Sequence, residues 1–370
     1  MNRIYFFANF GDWNKQPYGG GEVGNRRTLN ILKRMAFKII VIEKYKRVPT
    51  HSFVNMIVLM ARAAYNVVQF TVKLLFGYRK DALVHIVGFY GPMVYFEYIL
   101  VSIAYILGYR IIYEMRGGGA DLYYKDGSYF YRRIFAKLVD KTECIFSQGE
   151  ENYPLLQAVS PTKQIFYYPN YVMDNFMPVA CPAKPKDRIN FLYFGRVSKT
   201  KNVDLVVDIF ERVACRHENV FLDIVGNCSE PEYAEYIKRI ISYRALDTKI
   251  KMCPACDHKE LKNFLSDKHF YIFPTTEPHE GHSNALTEAM AWGLIPIASA
   301  QGFNKSVIGD ERLIASEFSA DCFASVIMKI IDDNLIQILS EAMYHRVKNN
   351  FTEDVVGANL RKIYEQLFSN

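Results

Sequence analysis

No stretch of this sequence reaches the roughly 18 to 20 uncharged apolar residues that a membrane span needs. The nearest run, Met93 to Leu107, is broken by Glu97 and reads as a buried helix of an α/β domain. Met1 is followed by Asn-Arg-Ile-Tyr-Phe-Phe-Ala-Asn-Phe, which lacks the basic start, long apolar run and cleavage site of a secretory leader and reads as a strand. Seven cysteines is an odd number for a disulfide framework, so they are expected to be reduced and the chain cytoplasmic. Cys253-Pro254-Ala255-Cys256, with His258 nearby, has no second CxxC or spaced histidine pair to complete a zinc site, and it lacks a thioredoxin-like context. Neither an Asp-x-Asp metal motif nor a solenoid repeat occurs. A net charge of +6, scattered along the chain, does not call for nucleic acid; an anionic membrane surface or a phosphorylated substrate fits as well.

What is present is alternation. At 370 residues two domains are the natural expectation. The first half opens with a strand (3–9), a loop (11–24) carrying Gly19, Gly20 and Gly21, a helix (25–35) and a strand (37–42), the start of a doubly wound parallel sheet. Further strands are expected at 83–87, 110–114 and 143–147. Residues 52 to 76 are apolar and basic, and read as a core helix of the first domain with a membrane-resting surface as the alternative. A linker with Pro178, Pro182 and Pro185 follows Tyr168-Pro169-Asn170. Alternation then resumes with strands at 188–194, 220–225, 249–252 and 270–273 and helices at 201–215, 230–243 and 260–267, with late helices at 320–349 and 353–368. The expected domains are 1–175, 186–350, and a helix at 351–370 that packs back on the first.

The richest segment is Glu280-Gly281-His282-Ser283-Asn284-Ala285-Leu286-Thr287-Glu288, followed by Ala-Met-Ala-Trp-Gly-Leu-Ile-Pro. Ser283 or Asn284 suits a helix N-cap, and Gly293 suits the helix end. Such a turn aims free backbone N–H groups and the positive end of a helix dipole at an anion, most often a phosphate. A carboxylate would repel that phosphate, so Glu280 is expected to point toward sugar hydroxyls, which donate to it. Phosphate and sugar together suggest a nucleotide sugar. Gly195-Arg196-Val197-Ser198-Lys199-Thr200-Lys201 follows the first strand of the second half. Ligands of doubly wound sheets bind off the carboxyl ends of strands, so Arg196 and Lys201 fall where two cations could clamp a diphosphate.

Arg196 and Lys201 after a strand, Gly226 after the next, and a glutamate pair with seven residues between resemble the retaining glycosyltransferases of family four, the glycosyl transferases group 1. The resemblance covers about residues 189 to 310. It implies a GT-B fold: α/β, two Rossmann-like doubly wound parallel-sheet domains facing a cleft. It implies a retaining transfer from a UDP- or GDP-sugar to a glycan or lipid-linked acceptor, in bacterial surface polysaccharide synthesis, with no cofactor and no required metal. Arg196 and Lys201 would then hold the donor diphosphate, Glu280 the sugar, and Glu288 the ribose. Backbone around Gly195 and from Gly281 through His282, Ser283 and Asn284 would touch the donor. Gly19 to Gly21 would let the first-domain backbone approach its phosphates. Members often carry a histidine turn in the first domain; Arg116 of Glu114-Met115-Arg116-Gly117 stands there instead. Two other readings are a Rossmann oxidoreductase, from the spacing of Gly19 to Gly24, and a non-catalytic protein of the same fold.

Overall fold

A computed structural model describes residues 2–15, 19–35, 37–44, 53–228 and 230–369. The chain divides into two compact units. Unit 1 runs to Pro169 and takes back the chain from Gly357 onward; unit 2 is Asn170–Val356.

Unit 1 contains β1 (Arg3–Ala8), α1 (Gly20–Arg34), β2 (Lys38–Glu43), α2 (Phe53–Leu75), β3 (Ala82–Phe89), α3 (Met93–Ile106), β4 (Arg110–Arg116), α4 (Ala120–Asp126), α5 (Tyr129–Asp140), β5 (Cys144–Ser147), α6 (Tyr153–Val159) and β6 (Gln164–Tyr167). Its strands form a parallel sheet in the order β2-β1-β3-β4-β5-β6. β1 and β3 are apolar on both faces because both faces are covered. α2, α3 and α5 share one face, where Phe70, Leu74, Leu100, Val101, Phe135 and Leu138 join one core with Phe7 and Ile86.

Unit 2 contains β7 (Ile189–Phe194), α7 (Val203–Ala214), β8 (Val220–Val225), α8 (Pro231–Tyr243), β9 (Ile250–Cys253), α9 (His258–Leu265), β10 (Phe270–Phe273), α10 (Asn284–Ala291), β11 (Ile295–Ala298), α11 (Asn304–Ile308), α12 (Ala320–Asp332) and α13 (Ile336–Asn350). The parallel sheet runs β11-β10-β7-β8-β9. α7 shows why these helices dock: Val203, Val206, Val207, Phe210 and Val213 recur on one face and are buried. The last helix, α14 (Glu353–Ser369), begins in unit 2 and ends in unit 1, where Tyr364 reaches the face of the sheet opposite α2.

Several expectations need correction. Residues 53–75 do form a helix, but only its C-terminal half joins the core, where Asn66, Phe70 and Leu74 are buried. The loop expected through Gly24 ends at Gly19, and Gly20 already opens α1; Gln16, Pro17 and Tyr18 of that loop, and Ser52 of the apolar stretch, lie outside the described residues. Lys201 lies in a 3₁₀ turn before α7, because Asn202 takes a left-handed conformation (φ 50°) and interrupts the helix. The single helix expected at 320–349 is two, broken at Asn334, whose φ of 55° is incompatible with helix continuation. The proline-bearing linker is not loose. Val172 N–H donates to Phe351 O at 2.9 Å, and Lys184 Nζ donates to Trp292 O at 2.8 Å, so the segment is strapped along unit 2.

Candidate functional site

In unit 2 the chemistry collects at the carboxyl ends of β7, β10 and β11. Glu280 is buried, on the turn between β10 and α10. Its Oε2 takes a short hydrogen bond from Lys201 Nζ and another from Thr275 Oγ1 at 3.0 Å. Lys201 also sits 5.1 Å over the Phe273 ring. The turn behind Glu280 is closed by Gly302 (φ +58°); a Cβ there would collide with the Glu280 carbonyl. Gly302 thus fixes the backbone that carries the carboxylate.

Arg196 lies at the same corner, half exposed, with its guanidinium 3.8 Å from Glu277 Oε2. Glu277 also accepts from Thr200 Oγ1 at 2.9 Å, and its carbonyl accepts from Glu280 N–H at 3.0 Å. The two cations and the first glutamate are therefore linked through Glu277 and Thr200. Gly195 (φ 136°) and Gly226 let the ends of β7 and β8 cross: a Cβ on Gly226 would strike the Gly195 carbonyl.

Ser283 is the N-cap of α10, its Oγ accepting from Leu286 N–H at 3.4 Å, and Asn284 is the first helical residue. The amides of that first turn have no carbonyl partner inside the helix. Glu288, in the middle of α10 and buried, meets His258 Nε2 at 3.1 Å. The His282 ring turns inward: Nε2 meets Thr287 Oγ1 at 2.6 Å, and the ring packs edge-on against Phe351. Burial, reinforced by Arg346, depresses its pKa to about 3, so the imidazole is neutral at any ordinary pH. The ring is thus committed to the interior, and the His282 carbonyl accepts from Asn170 Nδ2 at 2.7 Å.

Unit 1 brings two other sequence candidates together. Arg116, the last residue of β4, donates through Nε to Glu114 Oε1 and through a terminal nitrogen to Gly21 O at 3.2 Å. Glu114 Oε2 meets His85 Nε2 at 2.9 Å, and His85 Nδ1 meets Tyr364 O–H at 2.6 Å. Burial alone would raise the Glu114 pKa, but Arg116 and His85 outweigh it and hold the carboxyl below the usual carboxylate range. Gly19 and Gly21 face open space: a Cβ on either would meet nothing within 4 Å. Folding therefore does not require glycine at those two positions. The oxidoreductase fingerprint needs a tight turn straight after β1, whereas Gly20 to Gly24 are the first turns of α1.

Sequence reasoning missed Thr275, Glu277, Gly302, Glu114 and Tyr364. Glu277 precedes Glu280 by one turn of chain and could have been noticed. Gly302 and Tyr364 carry no local signal, because both act on partners distant in sequence.

Residues 180–353 match the family model described as glycosyl transferases group 1. Over 233 residues the chain is 24% identical to the phosphatidylinositol N-acetylglucosaminyltransferase gpi3 subunit of Schizosaccharomyces pombe, covering 62% of this chain and 50% of that one. The chain spans about half the length of such curated relatives. Among solved structures it superposes on a sucrose-phosphate synthase from Thermosynechococcus elongatus (TM-score 0.74, 17% identity) and on HepE from Anabaena in complex with UDP (TM-score 0.71, 12% identity), each over 100% of both chains. The fold is that of the GT-B glycosyltransferases.

Proposed function

We propose, from the membership of residues 180–353 in the glycosyl transferases group 1, that this chain moves a sugar from a nucleotide-sugar donor to a glycan or lipid-linked acceptor with retention at the anomeric carbon, in the assembly of a surface polysaccharide. The observation that carries this reading is the Lys201–Glu280 pair at the head of α10, with Glu288 eight residues on. A structure of similar fold, HepE, was solved in complex with UDP, which supports a nucleotide-sugar donor, a UDP- or GDP-sugar.

In this reaction the bond from anomeric carbon to diphosphate oxygen breaks on the face where the acceptor oxygen bonds. The acceptor proton passes to the departing phosphate. About two negative charges develop on the leaving group. Arg196, Lys201 and the first-turn amides of α10 are groups suited to meet them. Lys201 leaves part of its pairing with Glu280 for the diphosphate, and the carboxylate so released accepts from sugar hydroxyls. Glu288 takes the ribose hydroxyls. Arg116 and the main chain of Gly19 to Gly21 are the groups unit 1 offers to the donor phosphates. No step calls for a metal ion.

Glu280→Ala and Lys201→Ala are each expected to lower kcat by about 10²–10³ with the fold intact. Transfer is measured with the donor that binds best in calorimetry against UDP-, GDP-, ADP- and CDP-sugars. Near-normal turnover in both variants, or heat of binding from none of the donors, defeats the assignment.

A further inference from the structure

Glu288 carries a partner that the transfer reaction does not call on. Its side chain is 7% exposed, yet the group it meets, His258 Nε2 at 3.1 Å, belongs to a side chain that is 61% exposed. An ionised carboxylate only accepts, so Nε2 carries the proton of this bond. An exposed imidazole is free to turn among its rotamers unless neighbours hold the ring.

Neighbours do hold it. His258 is the first residue of α9, and Asp257 caps that helix, its Oδ1 accepting from Lys259 N–H at 2.8 Å and Glu260 N–H at 2.9 Å. The buried Phe176 ring stands edge-on to the imidazole, with centroids 5.6 Å apart. Phe176 is gripped twice more. Lys262, four residues after His258 on α9, places Nζ 5.7 Å over the ring and donates to Asn175 O at 2.6 Å. Trp292, four residues after Glu288 at the end of α10, meets the same ring edge-on at 6.2 Å and donates through Nε1 to Phe176 O at 3.2 Å. Residues four apart share a helix face. Two such pairs, one on α9 and one on α10, therefore close a ring of contacts through Phe176, and all of it lies within unit 2.

We propose that His258 is a positioning residue for nucleotide recognition: it sets the plane of the Glu288 carboxylate so that both ribose hydroxyls find an acceptor. This role rests on the reading of Glu288 as the ribose ligand. The last torsion of a glutamate is broad, and one N–H on Oε1 narrows it. A carboxylate offers about four lone-pair directions, so the bond to His258 leaves acceptor sites for a pair of hydroxyls. The imidazole itself need not touch the nucleotide.

Calorimetry of the full chain with UDP and 2′-deoxy-UDP tests this, or with GDP and 2′-deoxy-GDP if guanine nucleotides bind better. The wild-type chain is expected to prefer the ribose form by about tenfold or more, the worth of one hydrogen bond to a charged group. In His258→Ala that preference is expected to fall to about threefold, with the deoxy affinity little changed. His258→Gln can set an amide N–H where Nε2 stands and is expected to recover most of the preference. His258→Asn is too short to do so and is expected to behave as His258→Ala. The side chain is largely exposed, so all three variants are expected to keep the wild-type circular dichroism spectrum. Loss of affinity for both nucleotides alike in His258→Ala and His258→Asn, or retention of the wild-type preference in them, overturns the positioning role and leaves the reading of Glu288 standing. A wild-type chain that binds both forms equally shows that Glu288 does not read the ribose, and both fall together.

Discussion

Arg116 shows how a single side chain is prepared at the end of a strand. Its charge is met by Glu114 on the same strand, and its reach is set by the bond to Gly21 O. Glu114 is in turn fixed by His85, and His85 by Tyr364 from the returning helix α14. Removing a member near the charge costs more than removing one far from it. Glu114→Gln leaves a buried guanidinium without its counter-charge and is expected to destabilise by about 3 kcal/mol. Tyr364→Phe keeps the ring and loses one neutral hydrogen bond, about 1 kcal/mol. Urea unfolding of the two variants checks the order; a Glu114→Gln protein as stable as wild type would show that the chain of bonds does not hold Arg116. Nothing in the sequence ties His85 to this chain of bonds, because its two partners stand 29 and 279 residues away.

Elements divide into those whose ends the sequence announces and those it does not. α10 was readable because Ser283 caps it, Gly293 (φ +71°) ends it, and apolar periodicity fills the middle. The break between α12 and α13 was not, since Asn334 inside a continuous amphipathic pattern carries no breaker signal as strong as proline. α2 was misread for a related reason: apolar composition states that a face seeks cover, but not whether the protein supplies that cover. The glycines at the head of α1 separate folding from function. Gly21→Ala adds a Cβ into open space at a helical position, so stability is expected to hold or to rise by about 0.5–1 kcal/mol. On the proposed reading, in which the Gly19–Gly21 main chain approaches a donor phosphate, donor affinity measured by calorimetry is expected to fall. Unchanged affinity in a folded Gly21→Ala protein would remove this glycine from the donor site.

At the scale of the whole molecule, each unit hides a group that couples its stability to pH, and the two act with opposite sign. In unit 1, burial lifts the Glu97 carboxyl to about 7 against an ordinary value of 4.5, even though Lys44, the Tyr113 hydroxyl and Phe89 N–H favour its ionised form. The folded unit binds that proton more tightly, so the contribution is complete below the ordinary carboxylate range and is lost as pH rises through about 7. In unit 2, His282 is depressed from 6.5 to about 3, so its contribution is complete above about 6.5 and is lost as pH falls toward 3. His269, also lowered by burial, adds to the same side, while Glu114 titrates below this window. From about pH 7 to about pH 5, unit 1 should gain and unit 2 should lose about 2 kcal/mol each. The chain holds two tryptophans, Trp13 in unit 1 and Trp292 in unit 2, so each unit has its own reporter. In a Trp292→Phe protein the fluorescence midpoint in urea should move up on acidification, and Glu97→Gln should flatten that rise. In a Trp13→Phe protein the midpoint should move down. Midpoints that move together in both proteins would mean that these two buried groups do not govern the pH response.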